Sequence, residues 1–83
     1  MKAILSKSAG GTETLVLEDV ADPVAGPGQV LICVAAVGVN FPDSLIIADR
    51  YQERPPRPFS PGGEISGTVE AVGEGVQDFA PGD

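Results

Sequence analysis

The sequence predicts a mainly β domain carrying one short helix. Apolar residues recur either with a period of two or in short continuous runs, and glycine and proline bound those runs. Only one segment, near residue 40, carries helix-start signals. The 11 Gly and 8 Pro among 83 residues stay below the share that marks low-complexity chains, so a folded, turn-rich object is expected.

KAILS (2–6) and ETLVLEDVA (13–21) are short β-type runs separated by the turn residues SAGGT, which predicts a hairpin. Leu15 and Leu17 alternate with Val16 and Glu18, the period of a strand with one face on a core. DPVAGPG then breaks the pattern. QVLICVAAVGVN (29–40) is nearly continuous in small and β-branched apolar residues, which predicts a strand buried on both faces, with Cys33 a small buried apolar residue within it. NFPDSLIIAD follows with Asn40 as N-cap, proline in the first turn and Asp43 in capping-box position, predicting a helix that ends near Asp49. The segment RYQERPPRPFSPGG is predicted to be an irregular loop, because proline removes donors and holds its predecessors extended. EISGTVEAV (64–72) alternates again, with Ile65, Gly67, Val69 and Ala71 on one side, and GEG makes the next turn. The closing FAPGD is a turn of the kind that leads into another strand, so the chain reads as the N-terminal part of a longer one.

Charge and length narrow the function classes. A formal charge of −7 repels phosphate backbones and anionic lipid, so no nucleic-acid or membrane partner is expected. No apolar run approaches the roughly 20 residues that span a bilayer, and the N-terminal apolar stretch is too short for a signal peptide, which points to a cytoplasmic address. One cysteine cannot form an internal disulfide.

Gly62, Glu64, Gly67, Gly73 and Val76, with their spacing, resemble the GHE signature of the medium-chain dehydrogenase/reductase superfamily, the zinc alcohol dehydrogenases and their relatives. In the zinc enzymes a His follows the first glycine and binds the metal; here that position is Gly63. A second ligand, Cys, sits in that family's GxCxxD segment; in GVNFPD the matching position is Asn40. The chain has no His at all, and Cys33 lies inside a strand, so no metal site and no zinc are expected. NFPD, a tyrosine soon after the helix, a proline-rich loop and PGGE resemble the zinc-independent, quinone oxidoreductase branch.

That resemblance implies that residues 1–83 are an incomplete GroES-like (alcohol dehydrogenase N-terminal-like) catalytic domain, a partial β-barrel, with an α/β Rossmann cofactor domain beyond residue 83. The GEG at 73–75 lacks the third glycine and following helix of a dinucleotide-binding loop, so the expected NADPH would be held elsewhere. The implied activity is hydride transfer to a quinone or an α,β-unsaturated carbonyl, in a protein that pairs as a homodimer. The alternative within the superfamily is an enoyl-thioester reductase. From other classes come a non-enzymatic GroES-like scaffold and a proline-rich module, since RPPRPFSP has PxxP spacing beside arginine.

Tyr51 and Asn40 are the candidate catalytic residues, and Asn40, Asp43 and Tyr51 the candidate substrate-binding set, because the related enoyl reductases space an Asn, an Asp and a Tyr in this way. Without a metal, a developing oxyanion needs hydrogen-bond donors, and a phenol keeps its proton at neutral pH. Each residue also has a structural reading: Tyr51 as a ring over the core edge, Asn40 as a cap, Asp43 as a first-turn acid complementing the helix dipole. Glu64, left without a metal to serve, is expected to make structural hydrogen bonds at the strand start. Asp49 stands where relatives carry the glycine that ends a helix left-handed. Arg50, Arg54 and Arg57 cluster in the loop, either toward an anionic substrate such as an acyl-CoA or simply solvated.

Overall fold

A computed structural model describes all 83 residues, Met1–Asp83. The elements are β1 (Lys2–Ser6), a 3-10 turn (Thr12–Thr14), β2 (Leu15–Asp19), β3 (Val30–Gly38), α1 (Phe41–Ile47) and β4 (Glu64–Val72). They form two compact units, one of Met1–Ala21 with Gly38–Glu64 and one of Asp22–Val37 with Ile65–Asp83.

In the first unit β1 and β2 make the expected antiparallel pair, in the register Lys2↔Asp19, Ile4↔Leu17 and Ser6↔Leu15. Leu15 and Leu17 do share a face, but that face is covered only at its Ser6 end, and Leu17 is exposed opposite an equally uncovered Ile4. Ser6 is fully buried because Phe59 bridges it on the main chain in both directions, at 2.8 and 3.3 Å. Lys2 pairs with the directly opposed Asp19 at 3.0 Å, and Lys7 Nζ donates to Glu18 Oε1 at 2.7 Å. Helix α1 buries Ile47, 3% exposed, and the Ile47 carbonyl accepts the Gly10 N–H at 3.0 Å, which fastens the turn after β1 to the helix end.

In the second unit β3 and β4 pair in a two-stranded sheet. Gly67 is required there by close approach: a Cβ at this position would run into the Cys33 carbonyl oxygen, the Ile32 side chain and the Val34 backbone. The loop before β3 is tied to the turn after β4 by Gly28 N–H to Glu74 C=O (2.9 Å) and Gly73 N–H to Gln29 C=O (2.7 Å). Val69, 7% exposed, is enclosed where the chain end returns, exchanging main-chain bonds with Gly82 and Asp83, both 2.8 Å.

Two burial expectations are corrected. β3 is not covered on both faces: residues Cys33–Val37 are exposed, Cys33 among them, because the strand has one hydrogen-bonded neighbour and no layer lies over these positions. On β4, Ile65 and Gly67 are likewise exposed and burial begins at Val69, where the returning C-terminal turn covers the strand. The strand also runs over 30–38 rather than 29–40, leaving Asn40 to cap the helix.

Candidate functional site

The first unit carries all three candidate residues on one helix and the turn that leaves it. Asn40 is the N-cap of α1, in extended conformation (φ −127°, ψ 160°), with proline inside the first turn. Its main-chain N–H donates to Asp43 Oδ2 at 2.9 Å, while the Asp43 N–H donates to the Asn40 carbonyl at 3.0 Å. The fold thus brings Asn40 and Asp43 together, and the Asp43 carboxylate satisfies an N-terminal donor that the helix itself leaves open. Val39 and Phe41, on either side of Asn40, are 86% and 76% exposed, so apolar side chains face solvent where the chain enters α1.

Tyr51 follows the other end of α1. It is half-buried, its hydroxyl has no hydrogen-bond partner in the chain, and no bond joins it to Asn40 or Asp43. The backbone that leads into it leaves a defined helix end. Asp49 N–H donates to Ile46 C=O at 3.2 Å and Arg50 N–H to Leu45 C=O at 2.8 Å, with Asp49 at φ 58°: a Schellman closure. Asp49 therefore does take the left-handed conformation that glycine fills more easily.

Arg57 is the partner that sequence reading missed. Its Nη2 donates to both Asp49 Oδ1 and the Ile47 carbonyl, each at 3.0 Å, and its guanidinium lies 5.1 Å from the centre of the Phe59 ring. With its side chain 18% exposed, Arg57 is committed within the fold and does not join Arg50 and Arg54, which are exposed and make no ion pair, in a free cationic cluster. The only advance signal was an aspartate standing at a position that wants glycine.

Glu64 departs from expectation. Its carboxylate makes no hydrogen bond and no ion pair; it is exposed and lies over Gly38, in the space a Cβ at 38 would take. Solvent satisfies an exposed carboxylate without help from the strand.

No three His, Cys, Asp or Glu side chains gather anywhere in the chain. The GEG segment is a turn with Gly75 at φ 85° and no helix after it, so it offers no phosphate cradle. No helix is long and apolar enough to cross a membrane.

Comparison with known proteins places this geometry. Residues 26–83 match the family model of the alcohol dehydrogenase GroES-like domain. The quinone oxidoreductase of Lama guanicoe is 45% identical over the whole chain, which covers 26% of that protein. A mycobacterial quinone oxidoreductase structure superimposes with a TM-score of 0.90 at 39% identity, covering 100% of this chain and 26% of that one. A mycobacterial protein solved in complex with NADPH gives a TM-score of 0.89 at 39% identity, with the same coverage. The chain thus spans about a quarter of the length of the relatives it matches. With its four strands and single helix, the chain belongs to the alcohol dehydrogenase GroES-like domain family of the medium-chain dehydrogenase/reductase superfamily, among relatives named quinone oxidoreductases.

Proposed function

We propose that this chain supplies the N-terminal part of the catalytic domain of a zinc-independent, NADPH-dependent oxidoreductase that transfers hydride to a quinone or an α,β-unsaturated carbonyl. The observation that carries the reading is Tyr51: a half-buried tyrosine whose hydroxyl has no partner in the chain, following a helix whose other end carries Asn40 between the exposed Val39 and Phe41. The names of the relatives, and the NADPH in one structural neighbour, support the same chemistry.

The residues present do not suit a catalytic zinc. At the two positions that align with ligands in zinc alcohol dehydrogenases stand Asn40, a neutral amide, and Gly63, with no side chain. Zinc is held by thiolate, imidazole or carboxylate, and no group of three such side chains forms in the chain. Polarisation of the acceptor is therefore assigned to hydrogen-bond donors.

NADPH supplies a hydride when bound, and no residue of this chain forms a dinucleotide-binding loop, so its site is assigned to the remaining length seen in the relatives. The residues here act on the acceptor. The exposed side chains of Val39 and Phe41 are assigned to apolar contact with a planar enone or quinone. As hydride reaches the acceptor carbon, an electron pair moves onto the carbonyl oxygen, where the Tyr51 O–H and the Asn40 amide donate. A donor aimed at such an oxygen is worth about 2.7–4 kcal/mol in the transition state.

An enoyl-thioester reductase would use the same tyrosine, and the Asn40, Asp43, Tyr51 spacing favours that second reading. The test is NADPH oxidation by the full-length gene product with 1,4-benzoquinone and a 2-enoyl thioester in parallel, before and after EDTA. Chelator-resistant turnover of the quinone is expected. Preference for the thioester selects the second reading, loss of activity to EDTA overturns the metal-free assignment, and no NADPH binding returns the chain to a scaffold role.

A further inference from the structure

We infer that Asp49 and Arg57 form a positioning clamp that sets Tyr51, an inference that rests on the tyrosine reading above. Asp49 is a misfit where it stands. Asp49 sits at φ 58°, in the left-handed region that costs an L-residue energy, and it places a carboxylate at the negative end of a helix dipole. Both features oppose the turn that the chain nonetheless makes.

Arg57 answers the charge and holds the turn in place. Its Nη2 meets Asp49 Oδ1 and the Ile47 carbonyl at 3.0 Å each, so one cation neutralises the aspartate and occupies a carbonyl at the helix end. The guanidinium is held in turn by the Phe59 ring at 5.1 Å. Phe59 is itself pinned, its main chain bonded in both directions to the fully buried Ser6. The loop between α1 and Phe59 is therefore fastened at both ends, and Tyr51 is the second residue after the clamped Asp49. Because the Tyr51 hydroxyl has no bond of its own in the chain, the backbone conformation at residues 49 and 50 is what places it. Arg57 and Asp49 touch no reacting atom in this account; they act through Tyr51.

The clamp makes a specific demand. Asp49 needs Arg57, whereas a glycine at position 49 would take the left-handed turn unaided. Removing Arg57 alone should be damaging, and removing both members should be tolerated.

The experiment is a double-mutant cycle in the full-length gene product, read as kcat and KM for 1,4-benzoquinone, in both the wild-type and the Tyr51→Phe background. Arg57→Gln is expected to lower kcat/KM by about tenfold, and adding Asp49→Gly to restore it to within about twofold. Arg57→Lys keeps a cationic nitrogen but gives up the guanidinium's place over the Phe59 ring, so a loss smaller than that of Arg57→Gln is expected; if Arg57→Gln does not fold, Arg57→Lys carries the test, and adding Asp49→Gly should relieve its loss. In the Tyr51→Phe background Arg57→Gln should cost nothing further. A loss that Asp49→Gly does not relieve, or an equal loss in the Tyr51→Phe background, overturns the clamp while leaving the tyrosine reading intact. Full activity in Tyr51→Phe alone overturns the tyrosine reading, and the clamp with it.

Discussion

In the unit formed by residues 1–21 and 38–64, side-chain ties add to the main-chain ones: Arg57 to Asp49, Asp43 to the Asn40 N–H, Lys2 to Asp19 and Lys7 to Glu18. In the unit formed by 22–37 and 65–83, the long-range ties are main-chain bonds, from Gly28 to Glu74, Gly73 to Gln29 and Val69 to Asp83, the side-chain bonds of Gln29 and Asp83 reach only three positions along the chain, and close approach is permitted by the missing Cβ of Gly67. The first kind of structure is adjustable, because a side chain can be exchanged for another of different reach or charge. The second admits little change, because a backbone contact has no slack to give. The candidate donors lie in the adjustable unit.

The contrast can be broken from either side. Ile47→Ala removes the most buried large side chain of the first unit and should destabilise it by about 2–5 kcal/mol, measured by urea unfolding of the full-length gene product. Gly67→Ala should cost about 1–3 kcal/mol by forcing β3 and β4 apart, with faster hydrogen exchange at residues 30–37 and 65–72. Gly38→Ala is the sharpening control: its added Cβ meets the far end of the flexible Glu64 side chain, which can swing into solvent, so its cost should fall clearly below that of Gly67→Ala. Asp43→Ala should cost about 1 kcal/mol through the lost N-terminal bond of α1. Lys2→Gln comes last, at about 0.5 kcal/mol or less, since both partners are mostly exposed and the pair is screened by salt.

The sequence made some of these features legible and hid others for physical reasons. The first strand pair was readable because turn residues separate two β-type runs, and α1 because Asn40, Pro42 and Asp43 act on neighbours three or fewer positions away. Local interactions leave local signals. The exposure of β3 was not readable, since a continuous apolar run is the same string whether or not a layer covers it. The Arg57 to Asp49 bond spans eight positions with no regular element between its members, so no periodicity announces it. Within the candidate site, the residues Asn40, Asp43 and Tyr51 came from family spacing, whereas the bonds of Arg57 to Asp49 and Ile47 are seen only in the fold.

The central claim is that Tyr51 donates to the oxygen that gains charge during hydride transfer. The most direct measurement is the kcat of Tyr51→Phe for NADPH oxidation with 1,4-benzoquinone in the full-length gene product, alongside its thermal midpoint. A fall of about 10²-fold or more in kcat with an unchanged midpoint is the predicted result. Wild-type kcat in a folded Tyr51→Phe protein would contradict it.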